Sequence, residues 1–361
     1  MVLIGVESPE FVSVDSVPFT FVKGEVYFEF LEYIVFKWTK GVSCVYASTN
    51  IGGINSLTGI IFNPTTFEKM AEFEYRLNCV SNFFDLNLHV NESFRDSPLM
   101  IGHRGSGSNA SGSRVRENTM LSFHRAAARL HGVELDVLLT RDNKLVVYHD
   151  LEFNGEPIAN IDYSDIRGNR ASSVNYIYED PPLLDQVLKE LTPAAGIVIE
   201  LKYPTNATVK KFPAFAKYSR TEFVESVLNC IQKHPRNGWI ILSSFDADIC
   251  LILSKSLKFA KNVLVVHNVW FGHENEPEDN TVDFTDPRNR NPTNAIKQAQ
   301  MIQGGIALEA SFALANDLTR FEVPLFSYGK NNMIPDSVRK QAMKKLFGIF
   351  IDKLDLIKYS S

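Results

Sequence analysis

A chain of 361 residues, 45% apolar and 22% charged, has the composition of a globular protein with room for one large domain and a small one. A formal net charge of -5, a pI near 5.9 and the lack of any basic cluster argue against a surface that holds nucleic acid by its phosphates. No apolar run approaches the ~20 residues that cross a bilayer, and the first residues, with Glu7 and Glu10 and no early basic side chain, lack the shape of a secretory signal.

Cys44, Cys79, Cys230 and Cys250 lie far apart, with no metal-type or redox-type pair, and read as reduced core thiols of a cytoplasmic protein. Sequons at Asn91, Asn109 and Asn206 carry no weight in such a protein.

Residues 1–94 are rich in Phe, Tyr, Val and Thr, with short alternating runs such as Glu25-Val26-Tyr27-Phe28-Glu29-Phe30, and predict a small β-rich domain. From residue 95 onward short apolar runs alternate with amphipathic stretches, the pattern of strand-helix units around a parallel sheet. Parallel strands are predicted at 99–102, 132–138, 196–201, 239–243, 263–267, 306–309, 325–328 and 348–351. Eight of them predict a TIM barrel, whose chemistry sits at the carboxyl ends of its strands.

A ninth run, 144–149, comes after the strand at 132–138 with only Thr140-Arg141-Asp142-Asn143 between them. That is too short for a parallel crossover, so the run must fold back as a hairpin and return His149 towards Glu134 and Asp136. Helices are predicted at 120–130, 221–233, 246–256 and 337–345, each with a polar residue placed to cap it. The stretch 274–294, crowded with Asp, Asn, Pro and Glu, reads as a solvated surface loop without function.

Side chains two apart on a strand share a face, so Glu134 and Asp136 point together either into the barrel mouth or away from it, and a barrel strand is buried on both sides. Two buried carboxylates repel one another without a cation between them, and Glu200, at the end of the next barrel strand, supplies a third. Three carboxylates with no Cys or His obliged to ligate suit a hard divalent cation, Mg2+ or Ca2+, with Mn2+ allowed. Arg104 and Lys202 can clamp a phosphate beside it, while His103 and His149 can share base and acid duties near neutral pH. Cleavage of a phosphodiester needs each of these functions.

The motifs Gly102-His103-Arg104-Gly105, Glu117-Asn118-Thr119, Glu134-Leu135-Asp136-Val137, Val147-Tyr148-His149-Asp150 and Glu200-Leu201-Lys202 resemble, in order and spacing, those of the glycerophosphodiester phosphodiesterase family. The run from Ser243 to Cys250 resembles the eukaryotic glycerophosphocholine phosphodiesterase branch. The resemblance implies a TIM barrel, metal ligands at Glu134, Asp136 and Glu200, and acid/base roles for His103 and His149. It also implies phosphate binding by Arg104 and Lys202, with Glu117 supporting the loop after Arg104 and Tyr328 near the alcohol substituent, where an aromatic face can hold a trimethylammonium group.

The resemblance departs at the amino end, where the first ninety-odd residues are too few for the starch-binding module and linker of that branch. Trp38, the lone Trp before the barrel, reads as a core residue. The Gly- and Ser-rich stretch 106–116 lacks the fixed spacing of a nucleotide-binding loop and reads as a flexible linker, with wrapping over substrate as the alternative.

These observations predict metal-dependent hydrolysis of a small glycerophosphodiester, glycerophosphocholine first among them, without nucleic acid or a membrane span. A lysophospholipid substrate is the alternative within the same chemistry, and a non-catalytic barrel scaffold the alternative outside it.

Overall fold

The computed structural model describes residues 98–109, 115–167, 179–257, 263–271, 280–344 and 346–354, together with the backbone of five earlier strands. Those strands are β1 (Gly24–Phe28), β2 (Tyr33–Trp38), β3 (Cys44–Thr49), β4 (Ser56–Phe62) and β5 (Lys69–Arg76). Each pairs antiparallel with the next, giving a five-stranded meander whose register is irregular only at Ile61 and Phe62. Chain contacts group Met1–Phe84 and Asp85–Ser361 as two compact units. The expected boundary at residue 94 and the side chain of Trp38 lie outside the described residues.

The larger unit is built on β6 (Leu99–Gly102), β7 (Gly132–Leu139), β11 (Gly196–Leu201), β12 (Ile240–Ser244), β13 (Val263–Asn268), β14 (Gly305–Glu309), β15 (Leu325–Tyr328) and β16 (Gly348–Ile351). All eight pair parallel in that order, and β16 against β6 with β7 against β11 closes the ring. This is the predicted TIM barrel. The run after β7 folds back as the antiparallel β8 (Leu145–Val147), with Val137 opposite Val147. A short hairpin of β9 (Glu152–Phe153) and β10 (Glu156–Pro157) comes next.

Alternation along the strands sorts the core into layers. Leu99, Ile101, Val198, Ile241, Leu264, Val266, Ala307, Phe326 and Phe350 form the buried lining of the lumen. The intervening residues, Val133, Leu135, Ile197, Ile199 and Leu242 among them, pack outward against the helices. Gly132 and Gly196 have no side chains because the Trp239 ring occupies that space; a Cβ at Gly196 would meet it at 2.0 Å.

The helices are α1 (Met120–Ala127), α2 (Tyr163–Ile166), α3 (Leu184–Glu190), α4 (Asn206–Lys211) and α5 (Arg220–Lys233), then α6 (Ala247–Ser256), α7 (Pro287–Arg290), α8 (Pro292–Met301), α9 (Ala310–Ala315) and α10 (Pro335–Ala342). α5 starts at Arg220, one residue before the expected position, because the cap Ser219 and Glu222 form a reciprocal capping box.

The expectation for 274–294 is corrected. Residues 272–279 lie outside the described residues, but the later part of the stretch is helical and tied down: Asp286 caps α7 and Asn291 caps α8, each with Pro at the first helical position. Arg288 bridges Asp286 and Asp248, and the buried Asn289 hydrogen-bonds His267 Nε2 at 2.9 Å. Among the described residues of this stretch, Arg288 is paired within it and with Asp248 on α6, while Arg290 is exposed and lies over the Phe284 ring.

Candidate active site

The strand ends above the apolar lumen carry a different set of side chains. His103 comes directly after β6, Glu134 and Asp136 lie on β7, Glu200 lies on β11 with Lys202 directly after it, Asn268 ends β13, Glu309 ends β14, Tyr328 ends β15, and Asp352 comes directly after β16.

One carboxylate oxygen from each of Glu134, Asp136 and Glu200 lies within 4.8 Å of the other two. Burial, with the Asp136 charge beside it, pushes Glu134 up to about 8 despite the pull of His103. Burial acts on Asp136 in the same direction, but His149, Lys202, Arg104 and the Asn118 amide together hold it below the usual carboxylate range. Glu134 Oε1 is buried with no hydrogen-bond partner among the described residues. An unpartnered buried oxygen in a cluster of three acids is a donor set that fits a divalent cation, whose charge would remove the mutual repulsion.

The loop after β6 wraps one edge of this cluster. Arg104 has a left-handed backbone, φ 49°, which turns its N–H onto Glu134 Oε2 at 2.6 Å. Gly105 is next at φ 86°, and a Cβ there would collide with Ser122 Oγ at 2.3 Å, so the turn needs glycine. The Arg104 guanidinium reaches Glu117 at 3.1 Å, while its Nε lies 3.7 Å from Asp136. Glu117 also accepts from the Asn109 N–H, joining this loop to the start of α1. Of the stretch 106–116, residues 110–114 lie outside the described residues. Ser106 and Ser108 are buried and bonded to Ser122 and Asp352, which anchors the near end of the stretch to the barrel.

The hairpin brings His149 to the same mouth, as expected. Tyr148 N–H donates to Asp136 O at 3.1 Å, which fixes the height of the return. His149 Nδ1 meets Asp150 at 2.7 Å and its Nε2 meets Lys202 Nζ at 3.1 Å. An ammonium has no lone pair, so Nε2 accepts and the ring proton lies on Nδ1, facing Asp150. Lys202, 2% exposed, also lies 3.3 Å from Glu200 and 3.8 Å from Asp136. A polar cleft lined by Asn109, Arg116, Glu117, Tyr148, His149 and Asp150 opens beside this histidine.

His103 is oriented by a residue that sequence reasoning missed. Its Nδ1 lies 2.9 Å from Asp352 and its Nε2 3.9 Å from Glu134. Burial alone would lower His103, but the Asp352 charge and hydrogen bond raise it to about 9. Asp352 in turn overcomes its own burial through His103 and the Ser108 N–H, and stays well below the usual range. Asn118, quoted within a motif but given no role of its own, is at φ 53°; its amide donates to Asp136 Oδ2 at 2.8 Å and accepts the Asp136 N–H at 3.3 Å.

Tyr328 is in register with Glu309 at the end of β14. Its ring meets Phe245 edge-on at 5.7 Å, and its hydroxyl donates to Val269 O at 2.5 Å. The mouth therefore has charged side chains at the ends of β16, β6, β7 and β11, with Glu309 ending β14, and an aromatic contact between the ends of β12 and β15.

Fold and mouth together define a TIM-barrel protein with acids and imidazoles at its catalytic end. The glycerophosphoryl diester phosphodiesterase family profile matches residues 103–356, and the chain belongs to that family. Similar proteins include the glycerophosphocholine phosphodiesterase gde1 of Schizosaccharomyces pombe, 27% identical over 72% of this chain and 28% of that protein. The human glycerophosphocholine phosphodiesterase GPCPD1 is 27% identical over 43% of this chain and 29% of its own length. The chain thus spans under a third of the length of these relatives. A crystal structure from Silicibacter pomeroyi, described as a candidate glycerophosphoryl diester phosphodiesterase, shares the fold with a TM-score of 0.51 at 18% identity, covering 72% of this chain and 91% of that one.

Proposed function

We propose that the chain hydrolyses glycerophosphodiesters, with glycerophosphocholine as the leading substrate, to glycerol 3-phosphate and the free alcohol. The observation that carries this reading is the convergence of Glu134, Asp136 and Glu200 within 4.8 Å beside two histidines and two cationic side chains. A divalent cation held by those three carboxylates, Mg2+ or Ca2+ with Mn2+ allowed, supplies Lewis-acid charge at the phosphoryl oxygens.

The chain's own residues do the rest. Arg104 and Lys202 hold the phosphate, and Glu117 keeps the Arg104 guanidinium turned to the site. His103 and His149 divide acid and base duties, one taking a proton from the attacking water or neighbouring glycerol hydroxyl, the other giving one to the leaving alkoxide. Asp352 and Asp150 occupy the Nδ1 atoms, so Nε2 is the working atom on each ring. When phosphate draws Lys202 away from His149, that Nε2 is left with its lone pair.

Two observations support choline as the alcohol. The fission-yeast and human relatives carry glycerophosphocholine in their names. The partly exposed Tyr328, held edge-on to the buried Phe245, offers an aromatic ring to a trimethylammonium group. Buried thiols at Cys230 and Cys250 support a reducing, cytoplasmic setting. No helix among the described residues is long and apolar enough to cross a membrane. Residues 1–94 are read as a separate small domain, whose role is open.

The experiment is a product assay on the purified chain with choline, ethanolamine, inositol and glycerol diesters and with lysophosphatidylcholine, in each cation and after chelation. Release of glycerol 3-phosphate and choline, abolished by chelator, is expected. Activity confined to the lysolipid would transfer the reading to that substrate class, and no product from any diester would remove it.

A further inference from the structure

Asn268 ends β13 two residues beyond Val266, which lines the lumen, and so faces into the mouth. It is 3% exposed. Its Nδ2 donates to Glu200 Oε2 at 3.1 Å, while its Oδ1 is buried with no hydrogen-bond partner among the described residues. A buried amide carbonyl without a donor opposes folding, and a leucine of similar volume would avoid that cost. Only the donor half of this amide is used by the fold, and it is spent on Glu200.

The need arises from what else surrounds Glu200. Lys202 Nζ lies 3.3 Å from its Oε1 and competes with any cation for that carboxylate. Glu134 and Asp136 sit on β7 and are braced by the Arg104 N–H and by Asn118. Glu200 comes from the neighbouring strand β11, is less buried, and is braced by Asn268 from β13, two strands further round the ring and on the side away from β7. A donor on Oε2 sets the plane of the carboxylate and resists its rotation towards Lys202.

We propose that Asn268 is a positioning residue for the cation site, acting through Glu200. The proposal rests on the cation reading given above. Outer hydrogen-bond partners of this kind typically change metal affinity by about 10- to 100-fold.

Calorimetric titration of Mn2+ into the full chain without substrate tests it. Asn268→Leu should keep its thermal midpoint without cation and bind Mn2+ at least about tenfold more weakly. In a Glu200→Ala background, adding Asn268→Leu should change the affinity less than about twofold, because the residue through which it acts is gone. If Asn268→Leu does not fold, Asn268→Ala and its double variant with Glu200→Ala provide the same comparison.

Wild-type affinity in the single variant overturns the proposal, as does a full additional loss in the double variant. If Glu200→Ala itself binds Mn2+ like wild type, the cation reading fails instead, which separates the two failures.

Discussion

The lumen of the barrel and its mouth are made by the same strands, two residues apart, and their contents are opposite. Val198 gives way to Glu200, Val266 to Asn268, Phe326 to Tyr328, Phe350 to Asp352 and Ile101 to His103. Each step is about 6.6 Å along the strand. Below it the side chains are apolar and stabilise the ring by burial; above it they are charged or polar, and burial opposes their ionisation. The apolar layer offsets the cost of a mouth arranged for chemistry, so damage to the two layers should separate into loss of stability and loss of activity.

Replacing any one of Glu134, Asp136 or Glu200 by alanine should lower turnover of a glycerophosphodiester by about a thousandfold or more, with circular dichroism unchanged. His103→Ala and His149→Ala should each lower it by about 10²- to 10⁴-fold, and added imidazole should restore part of the rate if proton transfer is what was lost. In the lumen, Phe326→Ala should cost about 3–5 kcal/mol in urea unfolding, while the folded fraction still binds Mn2+ as wild type does. A parallel loss of affinity in that variant would mean that the layers are coupled.

The smallest effect sharpens the comparison at a pair within the mouth. His103 is raised from 6.5 to about 9, so its contribution to stability is complete below 6.5 and disappears as pH rises through about 9. Asp352, held low, contributes above its ordinary 3.8 and loses that contribution on acidification. In cation-free protein Asp352→Asn should therefore cost most, about 1–3 kcal/mol, between about pH 5 and 6.5, and the gap to wild type should narrow as pH rises through about 9, leaving the part that rests on Ser108. Urea unfolding across pH measures it.

Legibility in the sequence divides along the same line. Parallel strands buried on both faces read as continuous apolar runs, and acids or imidazoles at their carboxyl ends stand out against them, which makes Glu134, Asp136, Glu200 and His103 readable. The five-residue connection between β7 and β8 decides the hairpin by length alone. Asp352 escapes because its partner is 249 residues away, although the acid directly after Gly348–Ile351 is a signal of the same kind. Asn118 and Asn268 escape because amides bear no charge and reveal their role only through the carboxylates they hold. In 280–292 the Asp-, Asn- and Pro-rich composition of a loop conceals two Asx-Pro helix starts, and only the structure supplies their partners Asp248 and His267.

The most direct measurement is the anomalous difference map of a crystal soaked in Mn2+. The account predicts one strong peak bounded by carboxylate oxygens of Glu134, Asp136 and Glu200, at about 2.1–2.3 Å from each. No peak there, or one held by other side chains, would contradict it.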